Sequence, residues 1–182
     1  GTGGKMILCR GRQTDRRLII EGTGIRLYTA EELCYYIYNN IYLIGQEFVN
    51  GRLVEFLAQT GENELSERVR NLIDRKAGLA EILVTILKTV DYYSVTEIEQ
   101  IREILNTLGK QNVCERLKAR GDGYLHNDCY FSALKCYEKV VKDYKGNGLS
   151  GSDYAKVYHN LGVSYARMFL YGKAAEYFDE AY

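Results

Sequence analysis

Residues Ala155–Tyr182 read AKVYHNLGVSYARMFLYGKAAEYFDEAY, and the spacing within this stretch decides how the chain is read. Counted from Gly162, Tyr165 lies three residues on, Tyr171 nine, Ala174 twelve, Phe178 sixteen and Ala181 nineteen. Gly121 is followed at the same offsets by Tyr124, Tyr130, Ala133, Tyr137 and Val140, and Leu117 and Tyr158 each precede their glycine by four. Where two helices cross closely there is no room for a side chain at the crossing point, and aromatics fill the groove of the neighbouring helix. The pattern therefore predicts two successive helix pairs in residues 110–182.

Those residues resemble the tetratricopeptide repeat, a helix-turn-helix unit with a small residue at the crossing, aromatics beside it and an alanine in the second helix. The resemblance covers about residues 113–182. The second copy, with its Leu161-Gly162 pair, follows the pattern nearly throughout; the first has Arg120 where a leucine is usual. Gly121 and Gly162 are 41 residues apart, against about 34 in the family. The excess falls in KGNGLSGSD, residues 145–153, read as a glycine-serine loop or a longer second helix plus loop in place of the customary terminal proline. Two copies are fewer than the three or more that a stable array needs. Either residues 79–108 serve as a degenerate preceding unit or further repeats follow. The ending AEYFDEAY has no polar capping helix, which predicts an apolar surface there and pairing of two copies as a homodimer.

Arrays of this family bind peptides or protein segments on a concave face lined by the first helix of each pair. The resemblance places Glu115, Lys118, Asp122, Leu125 and His126 on that face from one copy, and Lys156, His159, Asn160, Val163 and Arg167 from the next. Co-chaperone members clamp a terminal carboxylate with lysines, an arginine and asparagines, which Lys118, Asn160 and Arg167 partly imitate. Asp122 opposes that use, because it repels a carboxylate. His126, Cys129 and Cys136 suggest a metal site by spacing, but the turn between the helices interrupts their face and no fourth ligand accompanies them.

The rest of the chain leads into this region. In residues 1–28, KMILC and RRLIIEGTGIRLY carry short apolar runs that read as two or three strands of a small β-cap. Gly22-Thr23-Gly24 supplies a turn in which glycine permits positive φ. The same triplet makes no phosphate loop, since neither a lysine-serine or lysine-threonine pair nor a third glycine follows at the required spacing. From Thr29 the pattern is helical, and Thr29 with Glu32 forms a capping-box signature before Leu33, Tyr36, Ile37 and Ile41. Apolar residues then recur at three- and four-residue steps in 49–57, 65–73 and 79–90, with Gly61 and Gly78 at the junctions as helix-ending glycines. Ser94 with Glu97 opens a last helix that runs to Gly109, on which Glu99 and Arg102 are placed to pair. Residues 29–109 thus read as about five antiparallel helices, and the tyrosine-rich AEELCYYIYNNIYLI reads as core.

Composition narrows the function classes. The 182 residues are 46% hydrophobic, enough for a substantial core, and lack proline, which favours long helices. Lysine plus arginine and aspartate plus glutamate both number 24, so no overall positive field recruits nucleic acid or an anionic membrane. The longest apolar run, near Leu79–Leu87, is far short of the roughly 20 residues of a membrane span. Five cysteines without CxxC spacing argue against a disulfide framework. With no leader-like opening, they predict a cytoplasmic protein. No ExxH motif marks a di-iron bundle, and no nucleophile, base and orienter assemble from adjacent sequence. The sequence therefore predicts an all-α protein, a helical bundle leading into a tetratricopeptide-type solenoid, with no cofactor or metal. Its expected role is a non-enzymatic adaptor that binds another protein. The alternatives are a sensor, whose N-terminal helices bind a small molecule or peptide and control the repeat, and an accessory subunit of an enzyme.

Overall fold

Leu18–Ile20 (β1) and Ile25–Leu27 (β2) pair antiparallel, with Leu18 opposite Leu27 and Ile20 opposite Ile25. The computed structural model of the protein describes residues 17–20 and 22–181, with side chains up to 172. The strand expected at KMILC lies outside the described residues. Alternation follows the two-residue period of a strand: Ile20 and Leu27 are buried, whereas Ile19 and Arg26 face outward. Gly22 and Gly24 take positive φ, and Thr23 closes the turn by donating its hydroxyl to the Ile20 carbonyl and accepting from the Ile25 amide.

The described residues form eight α-helices, and the chain divides into two units that meet between Gly109 and Lys110. In the first unit the helices are Ala30–Asn39 (α1), Gly51–Gln59 (α2), Asn63–Asp74 (α3), Leu79–Leu87 (α4) and Val95–Gly109 (α5). Both predicted caps form. The Thr29 hydroxyl accepts from the Glu32 amide at 3.1 Å, and Ser94 and Glu97 bond reciprocally at 3.1 Å. Glu99 pairs with Arg102 at 3.3 Å on the exposed face of α5. The core of this unit centres on α4, where Ile82, Leu83, Ile86 and Leu87 are fully buried. Each such side chain contributes about 1.5–3 kcal/mol relative to exposure. Leu33 and Ile37 of α1, Leu53 and Leu57 of α2 and Val69 of α3 complete that core.

Two local expectations differ from what is observed. The helical periodicity that opens at Thr29 carries on to Ile41, but α1 stops at Asn39 and continues as two 3-10 turns, Ile41–Leu43 and Gln46–Phe48. The paired asparagines end it: Asn39 and Asn40 fold their side-chain amides back onto the Tyr35 and Tyr36 carbonyls, competing with the backbone ladder. Gly61 ends α2 as expected, at φ 91° and with the Glu62 amide bonded to the Leu57 carbonyl. Gly78 does not end α3. Lys76 takes the left-handed conformation at φ 56° while Gly78 is extended and precedes α4. The Ala77 amide bonds to the Leu72 carbonyl at 2.9 Å, which helps hold a lysine where glycine is usual.

The second unit contains Val113–His126 (α6), Tyr130–Asp143 (α7) and Gly151–Ala181 (α8). Asn112 caps α6 through a complete capping box with Glu115. A turn at Asn127–Cys129 joins α6 to α7, with Asp128 at φ 58°. Residues 144–150 form the glycine-rich loop, and it is tied down at several points. Asn112 donates to the Gly148 carbonyl at 2.9 Å, the Tyr154 hydroxyl bonds the Asn147 carbonyl, and Gly148 is pressed against Cys114.

The second copy of the spacing pattern is where the structure departs most from the sequence reading. A turn is predicted near Phe169, yet α8 runs unbroken for 31 residues. Aligned on their glycines, the turn residues Asn127 and Asp128 of the first copy correspond to Met168 and Phe169 of the second. Asparagine and aspartate accept left-handed backbone and compete for helix hydrogen bonds; methionine and phenylalanine do neither. With no stop signal at that offset, the helix propagates.

Candidate functional site

The residues that the sequence places on one face come from α6 and α8, and a polar network joins three of them. Lys118 and Asp122, one helical turn apart, are 2.6 Å apart. The Tyr137 hydroxyl, from α7, donates to the other Asp122 oxygen at 2.6 Å. Asn160 of α8 donates its amide to both that oxygen and the tyrosine oxygen at 3.2 Å. One carboxylate thus gathers donors from all three helices of the unit.

Burial gives these bonds weight. Tyr137 is fully buried, and its ring lies across Gly121, where an added Cβ would stand 2.7 Å from the ring edge. The glycine at the α6–α7 crossing is therefore required by close approach. Burial, then the Asp122 bond, pushes the Tyr137 hydroxyl well above the ordinary tyrosine range, so it stays protonated and donates. Around the network, Ala133, Val140, Val157 and Leu161 form the apolar core of the unit.

This geometry changes the roles of the predicted groove residues. Lys118, Asp122 and Asn160 are brought together but satisfy one another, so the Lys118 charge and the Asn160 amide are engaged within the fold. Tyr137, which sequence reading treats only as a packing aromatic, is the missing fourth member. No sequence signal marks it as polar partner, because its bond partners lie 15 and 23 residues away. His126, Lys156, His159 and Arg167 are exposed, and Lys156 approaches Asp153 at 3.9 Å. On α8, positions 156, 159, 160, 163 and 167 recur at steps that share one face. Tyr154, Val157, Leu161, Ser164 and Met168 form a second face, the one turned into the core.

Among the described residues, no three histidine, cysteine or acidic side chains are grouped to hold a metal ion. Cys129 donates to the Asn127 carbonyl and Cys136 is buried on α7. In the first unit the tyrosine-rich segment is packed ring on ring. Tyr38 stacks on Tyr93 at 4.5 Å, Tyr92 meets Tyr93 edge-on at 5.2 Å, and the Tyr38 hydroxyl donates to Glu97 at 3.1 Å. The buried Tyr93 hydroxyl has no hydrogen-bond partner. Among the described residues, no helix is long and apolar enough to cross a membrane.

No family model matches this chain, and comparison with curated proteins and with solved structures finds no match either.

Proposed function

We propose that the chain is a non-enzymatic adaptor of tetratricopeptide type that binds an extended peptide or protein segment on the face shared by α6 and α8. The observation that carries this reading is the Gly121–Tyr137 crossing, closed by a network that ties α8 to the α6–α7 pair. Close packing at a glycine, with the following helix bonded across it, is what the repeated spacing requires. It sets the first helices of both copies beside each other.

The internal pairing of Lys118, Asp122 and Asn160 moves the binding role to the side chains above them. Lys156 and Arg167 supply exposed positive charge, and His126 and His159 supply exposed donors or acceptors. Such a face suits a segment carrying carboxylates, held by charge-assisted hydrogen bonds. A terminal-carboxylate clamp built on Lys118 and Asn160 is disfavoured, because both would have to abandon Asp122 and leave it half-buried without donors. The adaptor reading is preferred over the sensor because the Tyr38, Tyr92 and Tyr93 rings fill one another's space.

Selection of a displayed random-peptide library on the full chain tests this. Enriched sequences should be rich in aspartate and glutamate, and a Lys156→Ala/Arg167→Ala variant should bind them at least about tenfold more weakly, the loss of one or two exposed charge-assisted contacts. Equal binding by the variant would remove this face as the binding surface.

A further inference from the structure

Besides its core face and its polar face, α8 has a third. Tyr158, Gly162, Tyr165 and Phe169 follow one another at steps of four, three and four residues, which places them in one stripe. Tyr158 is 61% exposed, Tyr165 52%, and a Cβ added at Gly162 would meet nothing within 4 Å. The equivalent stripe of the first copy, Leu117, Gly121 and Tyr124, is packed within the unit core, with the Tyr137 ring against the glycine. One pattern, covered by α7 in its first occurrence, thus stands open in its second.

The chain also carries the element that would cover it. Residues 171–181 repeat the α7 spacing, with Phe178 at the offset of Tyr137. Along a continuous helix, the sixteen residues from Gly162 to Phe178 span about 24 Å, so this segment cannot fold onto Gly162 of its own α8. A second molecule's segment can. We infer that the open stripe is a dimerisation surface for a second copy of this chain, formed by two α8 helices packed antiparallel. Gly162 of each faces position 178 of the other, and the two-fold axis passes beside Leu170.

Three observations set this occupant apart from an unrelated helix. In the α6–α7 pair the corresponding centre, midway between 121 and 137, falls at Cys129, where the chain turns; straightening that turn is the ordinary route by which a helical hairpin becomes an exchanged dimer. Leu170 at the corresponding centre of α8 is 61% exposed, the expected state of a residue that meets its own copy only in the dimer. Finally, the stripe continues a contact already made, since Tyr171 lies against Tyr130 of α7 at 5.9 Å and Tyr165 donates to Glu138.

Sedimentation equilibrium of the full chain and of Gly162→Leu tests the proposal. The wild type should approach twice the 20.9 kDa chain mass as concentration rises. Gly162→Leu fills the notch from open space, so at dilution it should keep the wild-type helicity and thermal midpoint. Its dimer should dissociate at least about tenfold more readily, as overfilled interfaces do. The proposal goes beyond peptide binding, and Lys156→Ala/Arg167→Ala should leave the dimer unchanged, which separates failure of one idea from failure of the other. A wild type monomeric throughout, or a Gly162→Leu dimer as tight as wild type, would overturn it.

Discussion

Gly121 and Gly162 hold the same place in two copies of one pattern, yet their surroundings differ completely. Gly121→Ala puts a methyl group against the Tyr137 ring, which cannot swing away because it is buried and bonded to Asp122. We expect a loss of about 1–3 kcal/mol, read from the denaturant midpoint of the second unit. Gly162→Ala, at a dilution where the chain is monomeric, should instead gain about 0.5–1 kcal/mol from helix propensity. Cys34 offers a second residue-scale prediction. Burial raises its thiol from the ordinary 9.0 to about 12. The unfolded chain gives up that proton from about pH 9 while the folded chain keeps it, so stability is full below pH 9 and falls as pH rises towards 12. Cys34→Ala should flatten that slope in thermal midpoints measured across the same range. The sequence showed both glycines and the cysteine, but nothing in it said which glycine had a ring against it, because that depends on whether the second helix of the pair folds back.

Among the elements, helix starts were the most legible feature. Thr29, Ser94 and the apolar steps after them located helices because capping and amphipathic spacing are local properties. Helix ends were less so. Asn39-Asn40 stopped α1 by side-chain competition, and Lys76 took the left-handed place assigned to Gly78, a choice set by the packed junction between α3 and α4. The continuity of α8 was missed because the resemblance to a helix pair outweighed the local fact that Met168 and Phe169 lack turn chemistry. That local fact is open to test: replacing them by the first copy's residues, in Met168→Asn/Phe169→Asp, should break the helix. Amides at 168–172, protected from hydrogen exchange in wild type, should exchange faster by at least about tenfold in the variant. Unchanged protection would mean that α8 is held straight by something other than its sequence at the junction. The polar network was invisible for a different reason, since its four members lie on three helices. Asp122→Ala, which strands both Lys118 and the Tyr137 hydroxyl, should cost about 2–3 kcal/mol, more than Tyr137→Phe, in chemical denaturation.

For the whole molecule, the two units divide the work differently. The first, around α4, is bound together by aliphatic core and stacked tyrosines, with its polar side chains largely spent on caps and surface pairs. The second exposes a mixed polar face and an apolar stripe on one long helix, and it is there that the composition's neutral charge balance hides a local concentration of Lys156 and Arg167. A protein that works as an adaptor through this unit should leave the first unit undisturbed when it binds, whereas a sensor should engage residues 30–109. Amide chemical-shift mapping with a peptide selected from the library distinguishes them most directly. Perturbations should cluster at His126, Lys156, His159 and Arg167 on α6 and α8, with residues 30–109 unmoved; perturbations concentrated among Tyr38, Tyr92 and Tyr93 instead would contradict the adaptor function.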